Sequence, residues 1–212
     1  MHRWVCTERF PFKAKEKRES MSQQQDRHFR PGIMLFPLRK YMSGPQHDFI
    51  KANVKRGMTT LDLGCGPGFF TNVLSEAVGI NGTVHAVDGD KAAVTRLQNR
   101  TGALGLTNIT AHVSSAADIP FVESGSIDIL FANGLLCCML DHRGAVDEMM
   151  RVMKTGSRGF ISVAKLFRKD GLGVPKDEWE RIKRSFNVVD SGSSVVIDWV
   201  VVSKPGDDKN EL

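Results

Sequence analysis

The chain has 212 residues, 41% of them hydrophobic, with a net charge of +5 at pH 7, enough for one well-buried core and short for two independent domains. Its longest apolar runs, 130–140 and 193–202, carry polar interruptions and fall below the roughly 20 residues of a membrane span. The first twenty residues lack the continuous apolar stretch of a secretory signal, so a cytoplasmic protein with no membrane span is expected.

The charge is uneven. Residues 1–56 hold 13 Lys and Arg against 5 Asp and Glu, a net +8, and the remainder hold 16 against 19, a net −3. A basic arm can steer anionic partners, but the aromatic interleaving of a nucleic-acid platform is sparse. Residues 1–20 therefore read as a flexible basic tail, and nucleic acid is not an expected partner. Met21-Ser22, followed by a Gln run, is an alternative start. Residues 21–50, apolar and broken by Pro31 and Pro37, read as a lid segment that packs on the core. The core then runs over 51–204 and a short tail over 205–212.

From there the periodicity predicts, in chain order, a helix at 45–55, a strand at 58–63, a helix at 69–78, a strand at 83–88 and a helix at 90–103. Strands at 109–113 and 127–132, a helix at 142–153, a strand at 158–164 and a helix at 176–184 follow. This alternation is that of an α/β sheet with helices on both faces. The end differs. An apolar run at 186–189, a Ser-Gly-Ser-Ser turn at 191–194 and a strand at 195–202 read as an antiparallel pair.

The most informative stretch is Leu61-Asp62-Leu63-Gly64-Cys65-Gly66-Pro67-Gly68-Phe69-Phe70, a strand that turns through alternate glycines into a helix. Gly64 permits the tight exit, Gly66 removes a side chain where a ligand must approach backbone, and Gly68 lets the helix start close by. Asp88 ends the next strand, twenty residues after Gly68, where a carboxylate can accept both hydrogen bonds of a ribose diol. Asp90 is the better candidate to cap the helix at Lys91. Cys6, Cys65, Cys137 and Cys138 have neither framework nor C-x-x-C spacing, so reduced thiols and no metal are expected.

Residues 61–70 resemble motif I of the class I S-adenosylmethionine-dependent methyltransferases. Ala117-Asp118-Ile119-Pro120-Phe121 is similar to their adenine-contacting motif, 126–134 to motif IV, and 151–158 to the turn before their fifth strand. The subgroup most resembled is that of the ubiquinone/menaquinone C-methyltransferases. The resemblance implies a Rossmann-like seven-stranded sheet of order 3-2-1-4-5-7-6 with the last strand antiparallel. It also implies S-adenosyl-L-methionine as cosubstrate and a small-molecule acceptor, and the chain is expected to act as a monomer or a homodimer.

Carried onto this sequence, the resemblance makes Gly64, Cys65, Gly66 and Gly68 a backbone cradle for the methionine moiety, with Asp62 engaging its amino group. Asp88 holds the ribose hydroxyls, the Ala117 backbone and the Asp118 carboxylate read adenine, and Asn133 contacts methionine by its main chain. Two departures stand out. Gly89 replaces the bulky residue that usually covers adenine, which leaves that cover to Ile119 or the lid. Thr155-Gly156-Ser157 lacks the family's proline.

The acceptor side is less distinct. Asp141, His142 and Cys137, just beyond motif IV, and Tyr41, with His28 and His47, in the lid segment, are the candidate acid, base or acceptor-facing groups. The plainer reading makes Asp141 a helix cap, His142 an exposed histidine and the cysteine pair small core residues. Segments 21–50, 135–142 and 165–175 are left to recognise the acceptor, and their apolar content fits one that is small or partly hydrophobic. Two alternatives stay open. A nicotinamide oxidoreductase would need glycine at Phe69 and no terminal antiparallel pair, and a non-catalytic cofactor-binding protein would keep the loop.

Overall fold

The structure, a computed structural model, describes residues 43–165 and 173–206. The tail at 1–20, most of the lid segment, His28, Tyr41 and Cys6, and most of the 165–175 segment lie outside the described residues.

Seven strands form one sheet: β1 (Thr59–Leu63), β2 (Thr83–Asp88), β3 (Ile109–Val113), β4 (Ile127–Asn133), β5 (Met153–Ala164), β6 (Asn187–Ser193) and β7 (Ile197–Ser203). Their spatial order is β3-β2-β1-β4-β5-β7-β6. The pairs among β1 to β5 are parallel, and β7 runs antiparallel to both β5 and β6. The helices are α1 (Gly44–Asn53), α2 (Phe69–Val78), α3 (Lys91–Ala103), α4 (His142–Val152) and α5 (Lys176–Arg184).

Strand periodicity assigns the two faces. Leu61, Leu63, Val87, Leu130, Ala132, Ile161, Val163, Val200 and Val202 point one way, where α4 supplies Ala145 and Met149 and α5 supplies Trp179 and Ile182. Val84, Ile129, Phe131, Phe160 and Val201 point the other way, under Phe49 and Ile50 of α1 and Phe70, Leu74 and Val78 of α2. Leu97 of α3 closes over Ala86 and Cys65. Phe131 and Phe160 are wholly buried, and each side chain of that kind contributes about 2–3 kcal/mol of apolar transfer. Among the described residues no helix is long and apolar enough to cross a membrane.

Several element ends shift by one or two residues from expectation, and two departures are larger. β5 begins at Met153 rather than 158, because Lys204 at the end of β7 ties down its first residues: Gly156 N–H donates to Lys204 O, Lys204 N–H to Ser157 O, and Lys204 Nζ to Met153 O. The missing proline at 155–157 thus lies within a strand. The final turn falls at 194–196, where Ser194 Oγ accepts from the N–H groups of Val196 and Ile197. Gly192, read as a turn residue, sits in β6 opposite Trp199. A Cβ there would fall on the indole ring, so the glycine makes room for a cross-strand aromatic rather than a bend.

Candidate functional site

The site lies where β1, β2 and β4 end, the edge at which open α/β sheets bind ligands. After Leu63 the chain turns back on β2: Gly64 N–H and Cys65 N–H both donate to Val87 O, at 2.8 and 3.1 Å. Gly64, Gly66 and Gly68 have φ of 76°, 51° and 85°, the left-handed region in which glycine alone is unstrained. Gly68 also has no room to spare, since a Cβ there would strike Leu97 Cδ1 and the Arg100 guanidinium. Arg100 Nη2 donates to Gly68 O at 2.9 Å and reaches Asn72 Oδ1. Gly66 is the opposite case, with no atom within 4 Å of where a Cβ would stand. The space beside its backbone is open.

Asp88 holds this geometry. Its Oδ2 accepts from Gly66 N–H and its Oδ1 from Asp90 N–H, each at 2.8 Å. A carboxylate offers about four lone-pair sites, so both oxygens keep capacity for further donors. Asp62, only 2% exposed, accepts from Thr71 Oγ1 at 2.6 Å. Burial, followed by the charges of Asp62 and Asp88, pushes the Cys65 thiol well up. Cys65 is therefore a neutral packing group, and its part in the loop is its backbone. Asp90 caps α3, accepting from Ala92 N–H at 2.8 Å, as its position implied.

The adenine-like motif sits on an ordered turn. Ala117 N–H donates to Ser115 Oγ, Asp118 N–H donates to Ser115 O, and the Asp118 side chain is exposed. Arg151 secures the stretch that follows, donating to Val122 O at 2.8 Å and Ile119 O at 3.0 Å, while its partner Glu148 accepts from Ile119 N–H. The Arg151 hydrogen bond holds the Glu148 carboxyl below its usual range. Ile119 itself is wholly buried in the core. It cannot cover an adenine face, which corrects that expectation; the alternating pattern turns it inward while Asp118 faces out. Gly89 is exposed.

At the end of β4, Asn133 Oδ1 accepts from Ser162 Oγ at 2.8 Å and from Gln46 Nε2 at 2.9 Å. Gly134 follows with φ of 75° and donates to Ser162. The candidates beyond it hold structural bonds. Asp141 Oδ1 caps α4 at Gly144 N–H. The His142 ring meets Leu136 O at 2.8 Å and Glu178 Oε1 at 3.3 Å, so it joins the turn at 135–137 to α5 and is not an exposed histidine. Cys137 Sγ accepts from Ala164 N–H at 3.0 Å. His47 Nδ1 meets Ser43 O, with its ring against Phe69 and Phe70.

Thr71, Arg100, Glu148 and Arg151 support the site, and sequence reading did not single out any of them for it. Only Arg151 had a signal, its place in the last motif. A groove of about 510 Å³ lies at the opposite end of the strands, lined by Lys55, Asp128, Lys154 and Arg158 among others. It shares no residue with the loop and is not this site. Among the described residues no group of three His, Cys, Asp or Glu is placed to hold a metal ion.

A family model described as a methyltransferase domain matches residues 54–187. The chain belongs to that family, and its sheet order and glycine loop are those of the class I S-adenosylmethionine-dependent members. It is 28% identical over 124 residues to a demethylmenaquinone methyltransferase of Oceanobacillus iheyensis, covering 58% of this chain and 52% of that protein. With the demethylmenaquinone methyltransferase of Staphylococcus epidermidis it shares 31% over 138 residues, 65% of this chain and 54% of the other. The chain spans about half the length of these curated relatives. Among solved structures, a SAM-dependent methyltransferase from Aquifex aeolicus superposes with a TM-score of 0.69 at 25% identity, over 84% of this chain and all of that one.

Proposed function

We propose that the C-terminal edge of β1, β2 and β4 binds S-adenosyl-L-methionine and that the chain directs its methyl group to a small, partly apolar acceptor, a quinol-like ring being the chemistry closest to its relatives. The observation that carries this reading is the Asp88 carboxylate, tied to Gly66 N–H beside open space, with lone pairs to spare for a ribose diol. In the proposed pose Gly64, Cys65, Gly66 and Gly68 cradle the methionine end, with Asp62 beneath it. Ala117 and Asp118 read adenine, Gly89 leaves its face open, and Asn133 meets the methionine end through its main chain.

When bound, the donor supplies a sulfonium methyl group already activated for in-line displacement. What the chain contributes is alignment and charge. Gly66, with no side chain, lets the ligand lie against backbone, and Asp62 and Asp88 place carboxylates near a cationic partner. The hydrogen bonds already made by Asp141, His142 and Cys137 favour alignment over a dedicated general base in this loop.

Calorimetry tests the assignment. S-adenosylhomocysteine is expected to bind, NAD to show no heat, and the affinity to fall in Asp88→Ala and Gly66→Val. Equal affinity in both variants and the unaltered chain would sink the site.

A further inference from the structure

Gln46 lies in the first turn of α1, only 5% exposed, and its side chain is half satisfied. The nitrogen donates to Asn133 Oδ1 at 2.9 Å, but the oxygen, Oε1, is buried with no hydrogen-bond partner. The surrounding bonds form one chain. Gly134 N–H is shared between Ser162 O and Ser162 Oγ, each at 3.1 Å. Ser162 Oγ donates to Asn133 Oδ1, 2.8 Å away, and Gln46 Nε2 donates to the same oxygen, which turns Gln46 Oε1 away from Asn133. The atom left over is an acceptor. Buried carbonyls are nearly always paired in folded proteins, and an exception of this kind calls for an explanation.

We infer that Gln46 is a ligand contact, its Oε1 accepting a hydrogen bond from the α-ammonium of the methyl donor's amino-acid end. This rests on the donor site proposed above. An unpaired acceptor needs a partner with N–H or O–H, which excludes the donor's sulfonium and carboxylate. The ribose hydroxyls belong with Asp88 at the end of β2, and Gln46 stands by Asn133 at the end of β4, with β1 between them. Two strand spacings are about 10 Å, a span that fits a ligand with ribose at one end and an amino acid at the other. An ammonium, with three donors and a positive charge, is the stronger partner for a carbonyl in so enclosed a place.

A binding cycle tests this without turnover. S-adenosylhomocysteine and its analogue lacking the α-amino group are titrated calorimetrically into the unaltered chain, Gln46→Leu and Ser162→Ala. Thermal unfolding of each variant without ligand serves as the check on folding. The unaltered chain is expected to prefer the amino-bearing ligand by roughly tenfold or more, Gln46→Leu to lose most of that preference, the remainder resting on Asp62, and Ser162→Ala, which disturbs the same corner but keeps Gln46, to retain it. If Gln46→Leu does not fold, equal binding of the two ligands to the unaltered chain overturns the inference by itself. So does a preference undiminished in folded Gln46→Leu. Absence of binding by either ligand to the unaltered chain overturns the donor site instead, which separates the two failures.

Discussion

The donor end of the site and the segment just beyond β4 are built on different principles. At the donor end the loop N–H groups are spent inside the fold, Gly64 and Cys65 on Val87 O, Gly66 on Asp88 and Gly68 on Cys65 O, so what borders the open space beside Gly66 is bare backbone and the Asp88 carboxylate, whose oxygens keep lone pairs to spare. At 135–142 the candidate side chains are occupied in fastening the structure, His142 to Leu136 O, Cys137 to Ala164 N–H and Asp141 to Gly144 N–H. A group with spare hydrogen-bonding capacity is available for a ligand. A group whose capacity is spent positions the chain.

Substitutions sharpen this contrast, and Gly68 has the largest expected effect. Gly68→Ala combines a left-handed φ with a clash against Leu97, together costing roughly 3 kcal/mol, so urea unfolding is expected to show a much lower midpoint. An unchanged midpoint would mean that α3 does not press on the loop as described. Gly66→Val inverts the pattern. Its Cβ meets nothing in the protein, so stability falls only by the backbone term, about 1–2 kcal/mol, while the affinity for S-adenosylhomocysteine falls about a hundredfold. Asp88→Ala removes both the ribose acceptor and the latch on Gly66, and roughly a tenfold to thirtyfold loss of affinity is expected, in line with a charge-assisted hydrogen bond.

The two regions were also unequally legible in the sequence. The loop 61–70 was readable because its demands are local: glycine is needed where φ is positive, and one strand's length fixes where Asp88 falls. The sheet order came through the resemblance, and the ends of α2, β2, β3 and α5 were matched by sequence periodicity alone. What stayed hidden depends on distant pairings. Nothing near Arg100 announces that it bonds Gly68, 32 positions away, and nothing near Gln46 announces Asn133, 87 positions away. Gly192 misled for the same reason, since its need for space comes from Trp199 across the strand pair. Ile119 misled because its burial is set by the Arg151 and Glu148 clamp and the core beneath.

His142→Gln tests the occupied side. An amide can replace one of the ring's two contacts, so a stability loss near 1 kcal/mol is expected with the affinity for S-adenosylhomocysteine unchanged. A large loss of donor affinity would contradict the structural role.

The smallest effect concerns pH. Burial, and for His85 also the nearby His112, holds both imidazoles below their usual range, and His112 stacks on Phe121 with ring centroids 4.0 Å apart. Their neutral forms are the ones the fold favours. The stability tied to them is complete above the ordinary histidine value of about 6.5 and is lost as pH falls through the lowered folded values. A modest drop in Tm between pH 7.5 and 5.5 is expected, and a smaller one in His112→Phe, which keeps the stack. A drop of the same size in both proteins would assign the acid sensitivity elsewhere.

The most direct measurement of the central claim is a crystal structure of the chain with S-adenosylhomocysteine bound. The ribose hydroxyls are expected within hydrogen-bond distance of both Asp88 oxygens, with the ligand's backbone-facing side against Gly66. A ligand seated away from the ends of β1 and β2, leaving Asp88 and Gly66 untouched, would contradict it.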